Sequence, residues 1–196
     1  MDTIERIARH FQASADLSRD LGELLSPAIA AAAMTIVQAM MDDRKVLVCG
    51  QDGGAVLAAY FANCLLGCHE RERPGLAVIA LDGERQGLSP CRHGPDSDQR
   101  FARPLLALGQ RGDVLLALCG SGNEPPMLGA VRAAHEREIP VIALTGADGG
   151  KLLELLHPDD IHIGVPHHSS SRVQEVYLLT LHCLCDAIDS HLLGVE

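Results

Sequence analysis

The sequence has very few aromatic residues: Phe, Tyr and Trp make up only 3% of its 196 positions, and Trp is absent. A hydrophobic core must therefore be built mainly from Ala, Leu, Ile and Val, within a total hydrophobic content of 47%. A chain of this length and composition is sufficient for one sizeable domain. No stretch approaches the roughly 18 consecutive apolar residues of a membrane-spanning helix, and the N-terminus does not resemble a signal peptide. We therefore expect a cytoplasmic protein.

Basic residues are also scarce, since 16 Lys and Arg face 26 Asp and Glu and the net charge is −10. An acidic surface repels nucleic acids and acidic membranes, so direct binding to either is disfavoured, whereas a basic protein partner stays possible. The seven cysteines are an odd number, and most of them fall in strand or helix patterns. Buried free thiols are therefore favoured over disulfides.

The rest of the chain is arranged around a glycine-rich turn after the first apolar run. Val46–Cys49 predicts a buried strand, Gly50, Gly53 and Gly54 a tight turn, and the Ala/Leu-rich stretch 55–66 a helix. Free backbone N–H groups and the helix dipole make such a turn a potential anion site. The spacing matches neither the dinucleotide-binding fingerprint nor the P-loop, which argues against dinucleotides and ATP.

The same order of strand, turn and helix recurs along the chain. Further strands are predicted at 76–81, 113–118, 140–144 and 161–165, with helices at 99–109, 126–137, 151–156 and 169–193. Two N-terminal helices, 2–25 and 26–42, are predicted to meet at the cap and first-turn pair Ser26-Pro27. Five strands alternating with helices indicate an α/β fold, a three-layer, doubly wound parallel sheet. Its ligands would lie where the loops at 50–54 and 119–124 meet.

Four stretches resemble, in this order and spacing, the SIS-domain family of phosphoheptose isomerases, and most closely its DnaA initiator-associating DiaA subgroup. They are GQDGGAVLAAYFANCL, GDVLLALCGSGNE, VIALTGADGG and SSRVQEVYLLTLHCLCDAID. The resemblance covers the whole chain and implies one flavodoxin-like SIS domain over 1–196. Within it, residues 1–43 would form oligomerisation helices and residues 44–196 the α/β core. The resemblance also implies a homotetramer with phosphosugar pockets at subunit interfaces.

The resemblance also assigns a phosphosugar site, but several chemical positions are replaced. The phosphosugar-binding positions are Gly53, Gly54, Ser121, Gly122, Asn123, Glu124 and Gln174. Tyr60 stands where the family has a zinc-binding His, and Cys64 where it has a Glu that is both metal ligand and base. Gln174 and His182 match the remaining metal and catalytic positions, and the family's Asn-Asp pair falls near His93-Gly94.

These replacements lower the expectation of catalysis. Aldose–ketose isomerisation needs a positioned base and acid, and His182 is the one catalytic candidate left, either in an inactive site or as a core or interface histidine. Zinc usually takes three or four protein ligands, so Cys64, Gln174 and His182 make only a weak candidate set and no cofactor is expected. Cys64 is otherwise a small core residue. Gln174 would otherwise complete a capping box with Ser171.

Glu124 is the most informative replacement, because the resemblance places it facing the phosphate at a helix N-terminus. A carboxylate there would repel a phosphate dianion if the site is poorly solvated, while the helix dipole would favour it. One hypothesis is that Glu124 occupies the anion site in place of a ligand. The alternative is an ordinary first-turn glutamate that faces solvent.

The leading functional hypothesis is a non-catalytic regulatory or scaffold protein of the DiaA type. In that subgroup an apolar pair that follows the Asp of the last helix is linked to binding of the replication initiator DnaA, and Leu192 and Leu193 fall at that place here. Burial of this pair at a subunit contact is the alternative. Two other functions remain open: sedoheptulose 7-phosphate isomerisation for ADP-heptose and lipopolysaccharide precursor synthesis, and phosphosugar sensing without turnover.

Overall fold

The computed structural model describes residues 2–81 and 99–194, so the positions near His93 and Gly94 lie outside the described residues. Within this part of the chain, helices and strands alternate as the sequence pattern predicts. The helices are α1 Thr3–Met41, α2 Gly53–Leu66, α3 Gln99–Leu108, α4 Pro125–Glu136 and α5 Ser170–Leu193. The strands are β1 Val46–Gly50, β2 Val78–Ala80, β3 Val114–Leu118, β4 Val141–Gly146 and β5 Ile161–Val165.

The five strands form one parallel sheet in the order β2-β1-β3-β4-β5. The chain moves from β1 to the edge strand β2 and then returns to the other side of β1, so the switch point lies between β1 and β3. The register pairs Gly50 with Leu118, which brings the carboxyl ends of these two strands together. The loops at 50–54 and 119–124 therefore start side by side, and the predicted doubly wound sheet is confirmed.

Helices cover both faces of the sheet and create two separate cores. Alternate residues of β1 point to opposite faces, as the pleat of a strand requires. Val46 and Val48 join the core under α1, α2 and α5, whereas Leu47 and Cys49 join the core under α3 and α4. Every residue of β1 and β3 is buried, because helices cover both faces of the sheet. This explains why the sequence of each strand is a continuous apolar run.

The N-terminal region is one continuous helix of 39 residues, so the prediction of two helices meeting at Ser26-Pro27 was wrong. The Ser26 hydroxyl donates a hydrogen bond to the Gly22 carbonyl at 2.5 Å, inside the helix rather than at a cap. Leu25 before the proline and Ala32 after it are buried in the same core. Tertiary packing along this stripe outweighs the hydrogen bond that a proline removes from a helix.

Two smaller details also differ from the sequence-based expectation. Ser169 is the N-cap of α5, so Ser171 and Gln174 do not form the predicted capping box. The predicted helix at 151–156 is only a 3₁₀ turn at Gly150–Leu152. Gly149 and Gly150 both have positive φ, which keeps the chain out of a regular helix at this point.

The first turns of α1 leave an apolar stripe exposed. Ile4, Ile7 and Phe11 recur on one helical face and are 74%, 52% and 76% exposed. Helices α1 and α5 are long and apolar enough to cross a membrane by length and composition, a test that core helices of soluble proteins also pass. Both helices contribute buried residues to the core beneath them.

Candidate functional site

The turn between β1 and α2 requires glycine because other parts of the chain approach it closely. A Cβ atom on Gly50 would lie 2.3 Å from the Gly54 carbonyl oxygen, and one on Gly53 would lie 2.1 Å from Nε2 of Gln174. Gln174 also donates from Nε2 to the Ser170 hydroxyl at 3.1 Å. The structure therefore brings Gly53 and Gln174 together, as the sequence-based site requires. Asp52 adopts a positive φ of 52°, an uncommon conformation for a residue other than glycine.

The turn between β3 and α4 is closed by the Glu124 side chain. Its Oε1 accepts hydrogen bonds from the Ser121 backbone N–H at 2.7 Å and from the Ser121 hydroxyl at 3.1 Å. Its Oε2 is buried and has no hydrogen-bond partner among the described residues. Glu124 is also the residue that precedes the first turn of α4. Its carboxylate therefore folds back into the turn instead of extending into solvent.

Gly122 and Asn123 hold this turn against the loop that follows β4. Gly122 has a φ of 75°, and a Cβ atom there would lie 1.9 Å from the Gly149 carbonyl oxygen. The Asn123 side-chain oxygen accepts a hydrogen bond from the Lys151 N–H at 3.1 Å. In this arrangement both residues shape the loop, because the contacts they make are with the chain itself.

A second group of polar side chains lies between α2 and α5. The Tyr60 hydroxyl is 2.9 Å from Nε2 of His182. The neighbouring Cys64 side chain, followed by burial, raises the pKa of the Tyr60 phenol. The His69 ring stacks on His182 with a centroid distance of 5.2 Å. His182 is therefore half-buried in a cluster with the two residues that replace the family's His and Glu.

Cys64 has neighbours that the sequence pattern did not suggest. Its sulfur, a ring nitrogen of His69 and the sulfur of Cys185 all lie within 4.8 Å of one another. Burial and the neighbouring Cys64 raise the pKa of Cys185 to about 12. Cys68, which follows Cys64 by four residues in the sequence, is exposed. Cys185 was missed because it is far away in sequence and carries no local motif.

The four positions at which the resembled family holds zinc do not fit that metal in this chain. Tyr60 and His182 are hydrogen-bonded to each other, so the ring nitrogen is already engaged. The Gln174 amide lies against Gly53 and donates to Ser170. Cys64 is the remaining strong donor of the set, and one thiolate does not make a zinc site.

Comparison with known proteins supports the fold assignment and identifies the family. A family model described as the SIS domain matches residues 9–146. A phosphoheptose isomerase of Azoarcus sp. (strain BH72) is 47% identical over 196 residues, covering 100% of both chains. A second, from Thiobacillus denitrificans, is 48% identical over 192 residues, covering 98% of both chains.

Two solved structures agree with these sequence matches. The phosphoheptose isomerase GmhA of Neisseria gonorrhoeae aligns with a TM-score of 0.89 and 38% identity, covering 96% of this chain and 100% of its own. A phosphoheptose isomerase of Francisella tularensis aligns with a TM-score of 0.91 and 38% identity, covering 97% and 100%. The finer resemblance to the DiaA subgroup stays a prediction. On these matches over nearly its whole length, the chain belongs to the SIS-domain family of phosphoheptose isomerases.

Proposed function

We propose that this member of the family works without turnover, as a regulatory or scaffold protein. The observation that carries the proposal is the Glu124 carboxylate, which accepts hydrogen bonds from the Ser121 N–H and hydroxyl. These are the donors that a phosphate group would use at the start of α4. The chain therefore fills its own anion site.

Glu124 opposes phosphate binding in two ways. It occupies the two Ser121 donors, and its negative charge also repels the phosphate. Oε2 of Glu124 is buried in an otherwise partly exposed turn, so a phosphate dianion entering the turn would meet a like charge there. The carboxylate itself is stabilised there, because the N-terminus of α4 carries a positive partial charge. A phosphate ligand would have to displace the Glu124 carboxylate from this position. The free energy of that favourable interaction would then be subtracted from the binding free energy of the ligand.

The side chains available as a catalytic base also favour a protein without turnover. Isomerisation requires a base whose pKa lies near the working pH. Cys64 replaces the glutamate that would be the base in the resembled family, so no carboxylate is present at that position. The pKa of Tyr60 is raised above its ordinary value. Tyr60 is therefore a poor base at neutral pH.

Sugar-phosphate isomerisation is the second candidate, and two observations favour it. Relatives that match over the whole chain are named phosphoheptose isomerases. The pair His182 and Tyr60, 2.9 Å apart, also contains one group that could accept a proton from carbon and one that could donate a proton to oxygen. Sedoheptulose 7-phosphate would be the substrate. The names of the relatives favour this candidate, whereas the side chains of this chain's own site favour the first.

A scaffold needs a partner, and the apolar end of α5 is the proposed contact. Leu192 is half-buried and packs against the core, whereas Leu193 is 40% exposed. Leu193 is therefore the member of the pair that offers a surface to a DnaA-type initiator. We propose that the protein is cytoplasmic and homotetrameric. The proposed tetramer and the proposed partner both rest on the resemblance to the DiaA subgroup.

Calorimetric titration of the purified protein with sedoheptulose 7-phosphate, with and without zinc, tests the proposal, together with an isomerase assay on the same samples. No binding at millimolar ligand and no turnover would support the regulatory role. Turnover would overturn it and establish the isomerase. Saturable binding without turnover would instead assign a phosphosugar sensor, bound through the amides of Gly53, Gly54 and Ser121.

A further inference from the structure

A cluster of metal-binding side chains joins α2, the segment that follows it and α5. Cys64 lies in the last turn of α2, His69 lies just beyond that helix, and Cys185 lies on α5. Their donor atoms are all within 4.8 Å of one another. Cys185 is 0% exposed and Cys64 is 7% exposed, while His69 is half-buried. Three good donors thus converge on one partly enclosed point.

The donor set is the kind that zinc prefers. Zinc binds cysteine sulfur at about 2.3 Å and histidine nitrogen at about 2.0–2.1 Å in tetrahedral sites, so its donors lie roughly 3.3–3.8 Å apart. The donor atoms lie within 4.8 Å of one another, so they would have to approach by up to about 1.5 Å to reach that geometry. Calcium and magnesium are excluded by the chemistry, because both require oxygen ligands.

The surroundings suit a metal bound by two thiolates. Two thiolates neutralise a divalent cation, so no net charge is buried when the site fills. The adjacent ion pair of Arg73 with Asp189 is neutral by itself.

We propose that Cys64, His69 and Cys185 bind one Zn²⁺ ion, which ties the end of α2 to α5. Binding releases two protons to solvent, one from each thiol, while His69 coordinates as the neutral ring. The three protein ligands leave a fourth position for water or a small ligand. This donor set includes Cys64 but not Tyr60, Gln174 or His182, and it does not depend on whether a sugar phosphate is turned over.

Cobalt spectroscopy on the full-length, metal-free, reduced protein tests the site. Titration with Co²⁺ should saturate at one ion per chain, with intense sulfur-to-cobalt charge-transfer absorption, and Zn²⁺ should displace it. Cys64→Ser and Cys185→Ser should each weaken or abolish this absorption. Cys183→Ser and Cys68→Ser are the matched controls, because both cysteines are exposed and close in sequence to a proposed ligand.

The proposal fails if cobalt absorption does not saturate at one ion per chain. It also fails if Cys185→Ser keeps the full signal, or if a control variant loses it. Should the buried cysteine variants not fold by circular dichroism, His69→Gln replaces them, since residue 69 lies outside the helices. His69→Gln should weaken metal binding by more than about tenfold and should reduce the rise in melting temperature that Zn²⁺ causes in the unaltered protein. An unchanged affinity and an unchanged rise would overturn the site.

Discussion

At the scale of single residues, Glu124 decides what the anion site can hold. Its carboxylate engages both donors of Ser121, so Glu124→Ser should free them and remove the buried negative charge. We expect this variant to gain measurable affinity for sedoheptulose 7-phosphate or inorganic phosphate, because repulsion between charges in a partly exposed turn is worth about 1–4 kcal/mol. Isothermal calorimetry on the variant and the unaltered protein measures the difference.

Glu124→Gln is the matched control for this prediction. It removes the charge but keeps an amide oxygen that can still accept from Ser121. Its affinity for phosphate should therefore lie between those of the unaltered protein and Glu124→Ser. A folded Glu124→Ser variant with no phosphate affinity would show that the carboxylate is not what keeps the ligand out.

His162 links the stability of the fold to pH in the range just below neutrality. Burial lowers its pKa, and its Nε2 lies 2.7 Å from the Thr145 hydroxyl oxygen. Between this lowered pKa and the ordinary value of about 6.5, the unfolded chain binds more protons at this residue than the folded chain. The stability contributed by neutral His162 is therefore present above pH about 6.5 and is lost as the pH falls through that window.

His162→Gln should weaken this dependence. Urea unfolding at about pH 7.5 and about pH 5 should show a smaller loss of unfolding free energy in the variant than in the unaltered protein. His168→Gln, an exposed position in the following loop, serves as control and should keep the full dependence. Equal losses in His162→Gln and the unaltered protein would remove His162 as the cause.

At the scale of whole elements, one buried arginine joins α2 to α5. The Arg73 and Asp189 side chains are 1% and 3% exposed, and Nε of Arg73 lies 2.5 Å from the carboxylate. The same guanidinium donates to the carbonyls of Cys64 and Leu65, which lie in the last turn of α2. Arg73 thus donates hydrogen bonds to the free carbonyl groups at the C-terminus of α2 and neutralises the buried carboxylate on α5.

Arg73→Met should destabilise the fold by about 3–5 kcal/mol, because it leaves the Asp189 carboxylate buried and unpaired. Adding Asp189→Leu should recover part of this loss, since the unpaired charge is then removed. Urea unfolding of the three proteins measures both effects. Arg111→Met is the control, because its ion pair with Glu138 is exposed and should contribute little. A similar effect at both arginines would refute the argument from burial.

At the scale of the whole molecule, the exposed stripe on α1 predicts self-association. Ile4, Ile7 and Phe11 present contiguous apolar surface on the first turns of a long helix, an arrangement that a monomer seldom leaves exposed. Light scattering on the unaltered protein should report four chains, and Phe11→Glu should lower that mass. Arg9→Glu, at an exposed polar position on the same helix, should not. A monomeric mass for the unaltered protein would refute the tetramer.

The amino-acid sequence by itself determined which stretches form the strands and the main helices, in their order along the chain. These features follow from periodicity, apolar runs and glycine turns, all of which act between residues close together in the chain. The same local signals placed the turns at Gly50–Gly54 and Cys119–Glu124 at one edge of the sheet. The motifs of these turns, with the pattern around Gln174, were specific enough to indicate the family.

Only the tertiary structure decided which side chains share a site. The helix α1 continues through Pro27 because its apolar stripe is buried against the core. The free energy of this packing is not included in the helix propensities of the individual residues. Glu124 turns inward because Ser121 offers two donors there. Cys185 and His69 reach Cys64 because α5 packs beside the end of α2. Such contacts depend on how distant elements pack, so the sequence could name the candidate residues but not their partners.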